Sequence, residues 1–189
     1  CGVHTDTHET ARHNGIHRFF LSKNSHVVYK EKHIGTGEGD GTRSIDPVTE
    51  AFLEEGAVLE IESVQIKGVD STNRKTKAVV GKDAKLIIRE SLMTDGNQVA
   101  NTEFEVELNG ENSGTDLVSR SVAKGCSKQN YRSRIIGNAA CTGHSECDAI
   151  IADKATVNAA PELTAANPDA QLIHEAAIGR INSEQLIKL

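Results

Sequence analysis

Lys82-Asp83-Ala84-Lys85-Leu86-Ile87-Ile88 decides how this chain reads: a polar corner, one small residue, then a short β-rich run. The same order recurs at Lys23-Asn24-Ser25-His26-Val27, Glu55-Gly56-Ala57-Val58-Leu59, Asp153-Lys154-Ala155-Thr156-Val157 and Pro168-Asp169-Ala170-Gln171-Leu172. A small residue inside a tight corner lets one coil stack closely on the next. Recurrence of one such corner is the mark of a solenoid, where each coil buries its apolar face against its neighbours. The intervals are uneven, so the repeat reads as degenerate. Stacked β-coils are favoured, and a two-sheet sandwich is the alternative.

Further strand signals lie at Phe19-Phe20-Leu21, Val27-Val28-Tyr29, Phe104-Glu105-Val106-Glu107-Leu108 and Asp116-Leu117-Val118, separated by turn clusters such as Asn109-Gly110-Glu111-Asn112-Ser113-Gly114. Helix is scarce. Pro47 to Glu55 is expected to form a short one. Ile181 to Leu189 reads as an N-cap and the start of an amphipathic helix, too short to be stable alone. The expected division is a β-helix core over 1–181 and the beginning of a helical segment over 182–189, cut off at Leu189.

The chain has 189 residues, enough for one domain with a core that needs no disulfides. Aromatics are 3% and Trp is absent, so the core must be built from Val, Ile, Leu and Ala. That suits thin, repetitive packing. The net charge is −6 with no basic block, which argues against nucleic acid as a partner. No run approaches the ~18 apolar residues of a membrane span. No signal peptide is visible, and the start at Cys1 without Met reads as removal of an upstream part. The four cysteines (Cys1, Cys126, Cys141, Cys147) follow no secretory pattern and are expected to be reduced and cytoplasmic.

The chemistry concentrates in two stretches, Cys141-Thr142-Gly143-His144-Ser145-Glu146-Cys147-Asp148-Ala149 and Leu172-Ile173-His174-Glu175-Ala176-Ala177-Ile178-Gly179. They hold a thiol, imidazoles and carboxylates, donors that suit a soft metal or a sulfur carrier. Cys147 and Glu175 lie 28 positions apart, about one or two turns of a solenoid with ~20-residue repeats. In an extended strand Cys147 shares a face with Ala149 and Ile151, while Glu146 and Asp148 point the other way. That places the thiol inside, where burial alone raises its pKa and makes it inert. Likewise His174 alternates with Leu172 and Ala176, and Glu175 with Ile173 and Ala177. Both faces are mainly apolar, so one ionisable group is expected to be partly buried and to need a partner. The bland account is a structural cysteine and a satisfied carboxylate. The sharp one is a ligand set.

Two other motifs read as bland. Gly35-Thr36-Gly37-Glu38-Gly39-Asp40-Gly41 lacks the Gly-Lys-Ser/Thr ending of a phosphate loop and reads as a flexible loop. His4, His8, His13 and His17 have i,i+4 pairs that could hold zinc on a helix, but His-Glu-x-x-His is absent and solvated histidines fit better.

At these residues the chain resembles the SufB/SufD core proteins of iron–sulfur cluster assembly, in their short single-gene form. The resemblance rests on Ile66-Lys67-Gly68-Val69-Asp70-Ser71-Thr72, Leu108-Asn109-Gly110-Glu111, Ser119-Arg120-Ser121-Val122-Ala123, Glu146-Cys147-Asp148-Ala149 and His174-Glu175-Ala176-Ala177-Ile178-Gly179. It implies an all-β, right-handed parallel β-helix and a non-enzymatic scaffold that accepts sulfur and iron for a transient iron–sulfur cluster. It puts Cys147 and Glu175 at the cluster-building positions of the SufB branch and His174 at the interface histidine of the SufD branch. Cys141 and His144 are weaker candidates from the same stretch. Cys1 lies near the family's sulfur-entry cysteine, in a different context, Cys-Gly-Val-His. The implied partners are a sulfur donor protein, a second subunit (a homodimer or a SufB–SufD-like pair) and a SufC-like ATPase. The ATPase docks through a C-terminal helical domain beyond Leu189, so this chain is expected to bind it poorly. Flavin is a candidate cofactor that no motif supports. The rival expectations are a β-solenoid interaction module without chemistry and a metal-dependent enzyme built on the N-terminal histidines.

Overall fold

Each turn signature closes a corner. At Gly81–Ala84 the Ala84 N–H donates to the Gly81 carbonyl at 3.2 Å, and Asp83 takes a left-handed φ of 57°. Asn24, Gly56 and Asn112 hold the same third position at 58°, 70° and 56°. Gly, Asn and Asp are the residues that tolerate this conformation. On the opposite edge the positive φ falls one position earlier, at Gly96, Gly125 and Asp153. Two corner types therefore recur, one per edge, while the turn at Asn167–Ala170 closes without a positive φ. The uneven intervals in the sequence come from mixing them.

The computed structural model describes residues 1–181. The strands are β1 (Gly2–His4), β2 (Ala11–His13), β3 (Ile16–Leu21), β4 (His26–Thr36), β5 (Arg43–Ile45), β6 (Val48–Leu53), β7 (Val58–Lys67) and β8 (Ser71–Val80). They continue as β9 (Lys85–Thr94), β10 (Val99–Leu108), β11 (Gly114–Ala123), β12 (Lys128–Gly137), β13 (Thr142–Ile151), β14 (Thr156–Ala165) and β15 (Gln171–Arg180). All pairs are parallel. One sheet runs β1-β4-β7-β9-β11-β13-β15, and the other stacks β14-β12-β10-β8 onto the shorter early strands. The result is an all-β solenoid of about six coils with no helix among the described residues. Val58 pairs with Lys85, Lys85 with Gly114, Gly114 with Thr142 and Thr142 with Gln171, each one coil further along the chain. The coil therefore exceeds the ~20 residues expected from the pattern.

Alternation fills the interior from both sheets. Leu59, Leu86, Ile88 and Leu117 face Val80, Phe104, Val106, Leu108 and Ile135, all buried. Along one side of the interior, over the later half of the first sheet's strands and the earlier half of the second's, the lining turns polar. Arg74 pairs with Glu31, donates to His33 Nδ1 at 3.0 Å and lies 3.3 Å from Glu90. Glu90 also accepts from Thr102 at 3.0 Å and Ser119 at 2.7 Å. Outside, register is written in charge: Arg18, Glu50, Lys77, Glu105, Arg134 and Glu162 oppose one another coil by coil. Asn73, Asn101, Asn130 and Asn158 form a parallel amide ladder. Opposite charges and amides in register disfavour a one-residue slip, which would turn the core outward.

Two expectations differ from the structure, and a third lies outside the described residues. Pro47–Glu55 is not helical: residues 48–53 form β6, with Thr49, Ala51 and Leu53 buried and the residues between them less so. A two-residue period buries one face of a strand and would scatter around a helix. The helix expected from Asn182 lies outside the described residues. The Gly35–Gly41 segment is held against the first coil: Gly39 and Gly41 donate to the Thr5 and Thr7 carbonyls, and Arg43 caps the carbonyls of Thr36, Gly37 and Gly39. A Cβ on Gly41 would stand 2.0 Å from the Glu9 carbonyl oxygen. Gly41→Val is therefore expected to unseat β1 and β2, because a backbone atom cannot move aside as a side chain can. Hydrogen exchange checks this: amides of residues 3–13 should lose protection while those of β10 keep it.

Candidate functional site

Beyond the turn at Asn167–Ala170, β15 stacks on β13 with Glu146 opposite Glu175, Cys147 opposite Ala176 and Ser145 opposite His174. Glu175 thus falls one position short of the place opposite Cys147. One residue of offset reverses the face in a strand. Cys147 therefore points into the solenoid and Glu175 out of it. The structure keeps His174 on the inner side with Cys147 and places Glu175 outside.

Outside, Glu175 meets two other donors. His144 Nε2 lies 3.2 Å from Glu175 Oε2, and one ligand atom each from His144, Glu146 and Glu175 lies within 4.8 Å of the others. His144 Nδ1 is 2.8 Å from Asp116 Oδ1, and Asp116 is paired in turn with Arg89. That bond to Asp116 raises the pKa of His144; burial opposes it, and the hydrogen bond to Glu175 adds to the rise. Burial raises Asp116, but the His144 and Arg89 hydrogen bonds outweigh it and hold the carboxyl below its ordinary range. Asp116 thus orients the ring so that Nε2 faces the cluster, the arrangement that supports a metal-binding imidazole. One imidazole and two carboxylates suit a divalent cation such as iron(II). Arg120 donates to Glu146 at 3.1 Å on the remaining side.

Inside, Cys147 is 2% exposed. Its register neighbour is Ser119, and both line a small cavity with Glu90, Thr102 and Tyr131. Burial, then the charges of Glu90 and Asp148, push the thiol up to about 11. Burial likewise pushes the Tyr131 phenol up to about 12, and it shares hydrogen bonds with Ser145, as does Ser133. A thiol in such surroundings is unreactive until the coil above it opens or a cation meets it. His174, opposite Ser145, is half-buried on the same inner face, and its Nδ1 has no hydrogen-bond partner among the described residues.

The remaining candidates stand apart. Cys141 is buried at the start of β13, with burial raising its pKa. Six residues of strand separate it from Cys147, ~20 Å, so the two thiols cannot share a metal. Cys1 is exposed, and five strand steps from β1 to β13 put it ~24 Å or more from Cys147. All four cysteines are free. The N-terminal histidines lie on strands or in a loop, where i,i+4 spacing does not converge: His4 bonds Asp6 and Thr36, and His8 pairs with Asp40. Among the described residues only the His144 group gathers three metal-capable side chains. Glu146, Asp116 and Arg120 were not singled out as site residues from the sequence. The true coil length, laid over the corners, would have stacked Asp116, His144 and Ile173 in one row and set Glu146 beside Glu175 in another.

No described helix is long and apolar enough to cross a membrane. The family model for the SUF system FeS cluster assembly SufBD core domain matches residues 2–187. An iron–sulfur cluster assembly SufBD family protein of Archaeoglobus fulgidus is 32% identical over 179 residues, covering 94% of this chain and 47% of that protein. One from Methanocaldococcus jannaschii is 29% identical over 175 residues, 92% of this chain and 54% of its own length. One from Methanothermobacter thermautotrophicus is 25% identical over 194 residues, 100% of this chain and 46% of its own length. The chain spans about half the length of these relatives.

Proposed function

The chain belongs to the SufBD core-domain family, and from that premise we propose that it works as a scaffold on which iron–sulfur clusters are built. Membership supports a role in iron–sulfur cluster assembly. The scaffold reading rests on one observation: His144, Glu146 and Glu175 bring three metal-capable atoms together outside the same strand that carries Cys147 inside. In this reading iron is cargo held by the outer oxygen and nitrogen donors, and sulfur is cargo received at Cys147. The two sites are separated by the thickness of one sheet. Joining them requires the coil over Cys147, where β15 contributes Ala176, to shift. A second subunit, a sulfur donor protein and a SufC-like ATPase are the partners of this proposal, the ATPase being the source of work for that opening. A reducing compartment such as the cytoplasm fits four free thiols.

The test is anaerobic reconstitution of the longer protein with iron and sulfide. Cys147→Ser is expected to reduce cluster yield at least tenfold, and Glu175→Gln to reduce iron uptake while leaving the thiol titratable in denaturant. An unchanged cluster spectrum and yield in Cys147→Ser would sink the reading. The burial of Cys147 favours a second reading, an interaction module without chemistry. It expects Cys147 to resist alkylation in the assembled complex and the purified protein to take up no iron.

A further inference from the structure

Val118 stands opposite Glu146 in register, and Arg120 stands opposite Asp148. Arg120 nevertheless leans diagonally: its Nη2 donates to Glu146 at 3.1 Å, whereas its Nε is 3.8 Å from its direct partner Asp148. The Arg120 side chain is two-thirds exposed, while that of Glu146 is largely enclosed. Its arm lines a groove of about 550 Å³ with Ile66, Met93, Val122 and Ile150, so the side chain has room on the side away from the cluster. One permanent cation thus sits against one of three metal-capable groups, and a second carboxylate lies within a short swing of it.

We propose that Arg120 is a counter-cation that competes with a divalent metal for Glu146, with Asp148 as the seat to which it retreats. The inference rests on the metal-site reading of His144, Glu146 and Glu175. A guanidinium cannot lose its charge, so its competition is constant, unlike that of a protonated imidazole. A like charge beside the site weakens the hold on a divalent cation without dismantling the ligands. The Asp148 seat keeps the displaced charge paired, so the exchange is reversible. A site tuned in this way suits a metal that must be handed on.

Cobalt(II) binding, read by its d–d absorbance at physiological salt, tests this in the unaltered chain, Arg120→Met, Asp148→Asn and the double variant, with His144→Gln as the control for the site itself. Arg120→Met is expected to bind about tenfold more tightly, from loss of a partly screened ion pair and of like-charge repulsion. Asp148→Asn is expected to bind about threefold more weakly, because the displaced guanidinium loses its seat. In the Arg120→Met background Asp148→Asn should change nothing, which is the coupling that a double-mutant cycle reports. Equal or weaker binding by Arg120→Met overturns the proposal. So does an Asp148→Asn effect of the same size in both backgrounds, since that is the direct field of Asp148 on the metal. If no protein binds cobalt, or His144→Gln binds as well as the unaltered chain, the metal-site reading itself falls and the proposal falls with it. Circular dichroism of the exposed-site variants confirms that the solenoid is intact.

Discussion

Arg74→Met is expected to lower the stability of the chain by about 3–5 kcal/mol, because it leaves two carboxylates buried without their cation. The Arg74, Glu31 and Glu90 side chains are 6%, 3% and 4% exposed. Met fills much of the arm's volume, so the loss reports charge and not a cavity. Urea unfolding near neutral pH measures it, and a loss below about 1 kcal/mol would show that the ionic group does not hold the interior. Replacing all three residues, as Arg74→Met with Glu31→Gln and Glu90→Gln, should recover much of the loss, since neutral groups carry less desolvation cost.

The same group makes an acid-sensitivity claim. Burial pushes Glu31 up, but the His33 hydrogen bond and the Arg74 charge outweigh it and hold the carboxyl far below its ordinary value of 4.5. A folded pKa below the unfolded one means stability that is present above the unfolded value and lost as pH falls through the folded one. The unaltered chain should therefore lose this contribution progressively below about pH 4.5. In Arg74→Met the carboxylates gain by protonation, so its deficit should shrink on acidification. A deficit that grows in acid would contradict the assignment.

Asp116→Asn is expected to weaken divalent-metal binding about 10- to 100-fold, the usual consequence of losing the carboxylate behind a metal-bound imidazole. Asn keeps an acceptor for the ring N–H but not the charge. The size of the loss should depend on pH in a stated direction. Asp116 raises the pKa of His144 above its ordinary 6.5, so in the unaltered chain a proton competes more strongly for Nε2. Removing Asp116 relieves that competition while it weakens the ligand. The deficit should be full near about pH 8 and partly masked near about pH 6. Cobalt titrations at both values check it. A deficit of the same size at both values would mean that Asp116 acts on the metal through its charge and not through the ring.

Most of the fold was legible because the corners obey local rules. Asn24, Gly56, Asp83, Asn112 and Asp153 are the residue types that accept a left-handed φ, and each precedes a strand with a two-residue period. Local rules misled at Pro47–Glu55, where a short polar–apolar run fits a helix turn as well as a half-buried strand until stacking onto β3 and β8 chooses. The candidate site was legible in part. Strand alternation alone put Cys147 inside and Glu146 outside. Spacing could not say which residues of the next coil lie above them, since lengthening a coil by a single position brings the opposite face of the next strand over the same place.

By itself, then, the sequence determined a β-solenoid, the inward thiol at Cys147, the outward carboxylate at Glu146 and, through its motifs, a resemblance to the SufB/SufD proteins. These depend on corner chemistry and on the two-residue period, which act within a few positions. Tertiary structure alone decided that Glu175 lies over Glu146 and not over Cys147, that Asp116 stands behind His144, that Arg120 reaches across to Glu146, and that Arg74 joins Glu31 to Glu90 inside. Each of those contacts joins residues far apart in the chain, and only hydrogen-bonded register between coils fixes which side chains share a row.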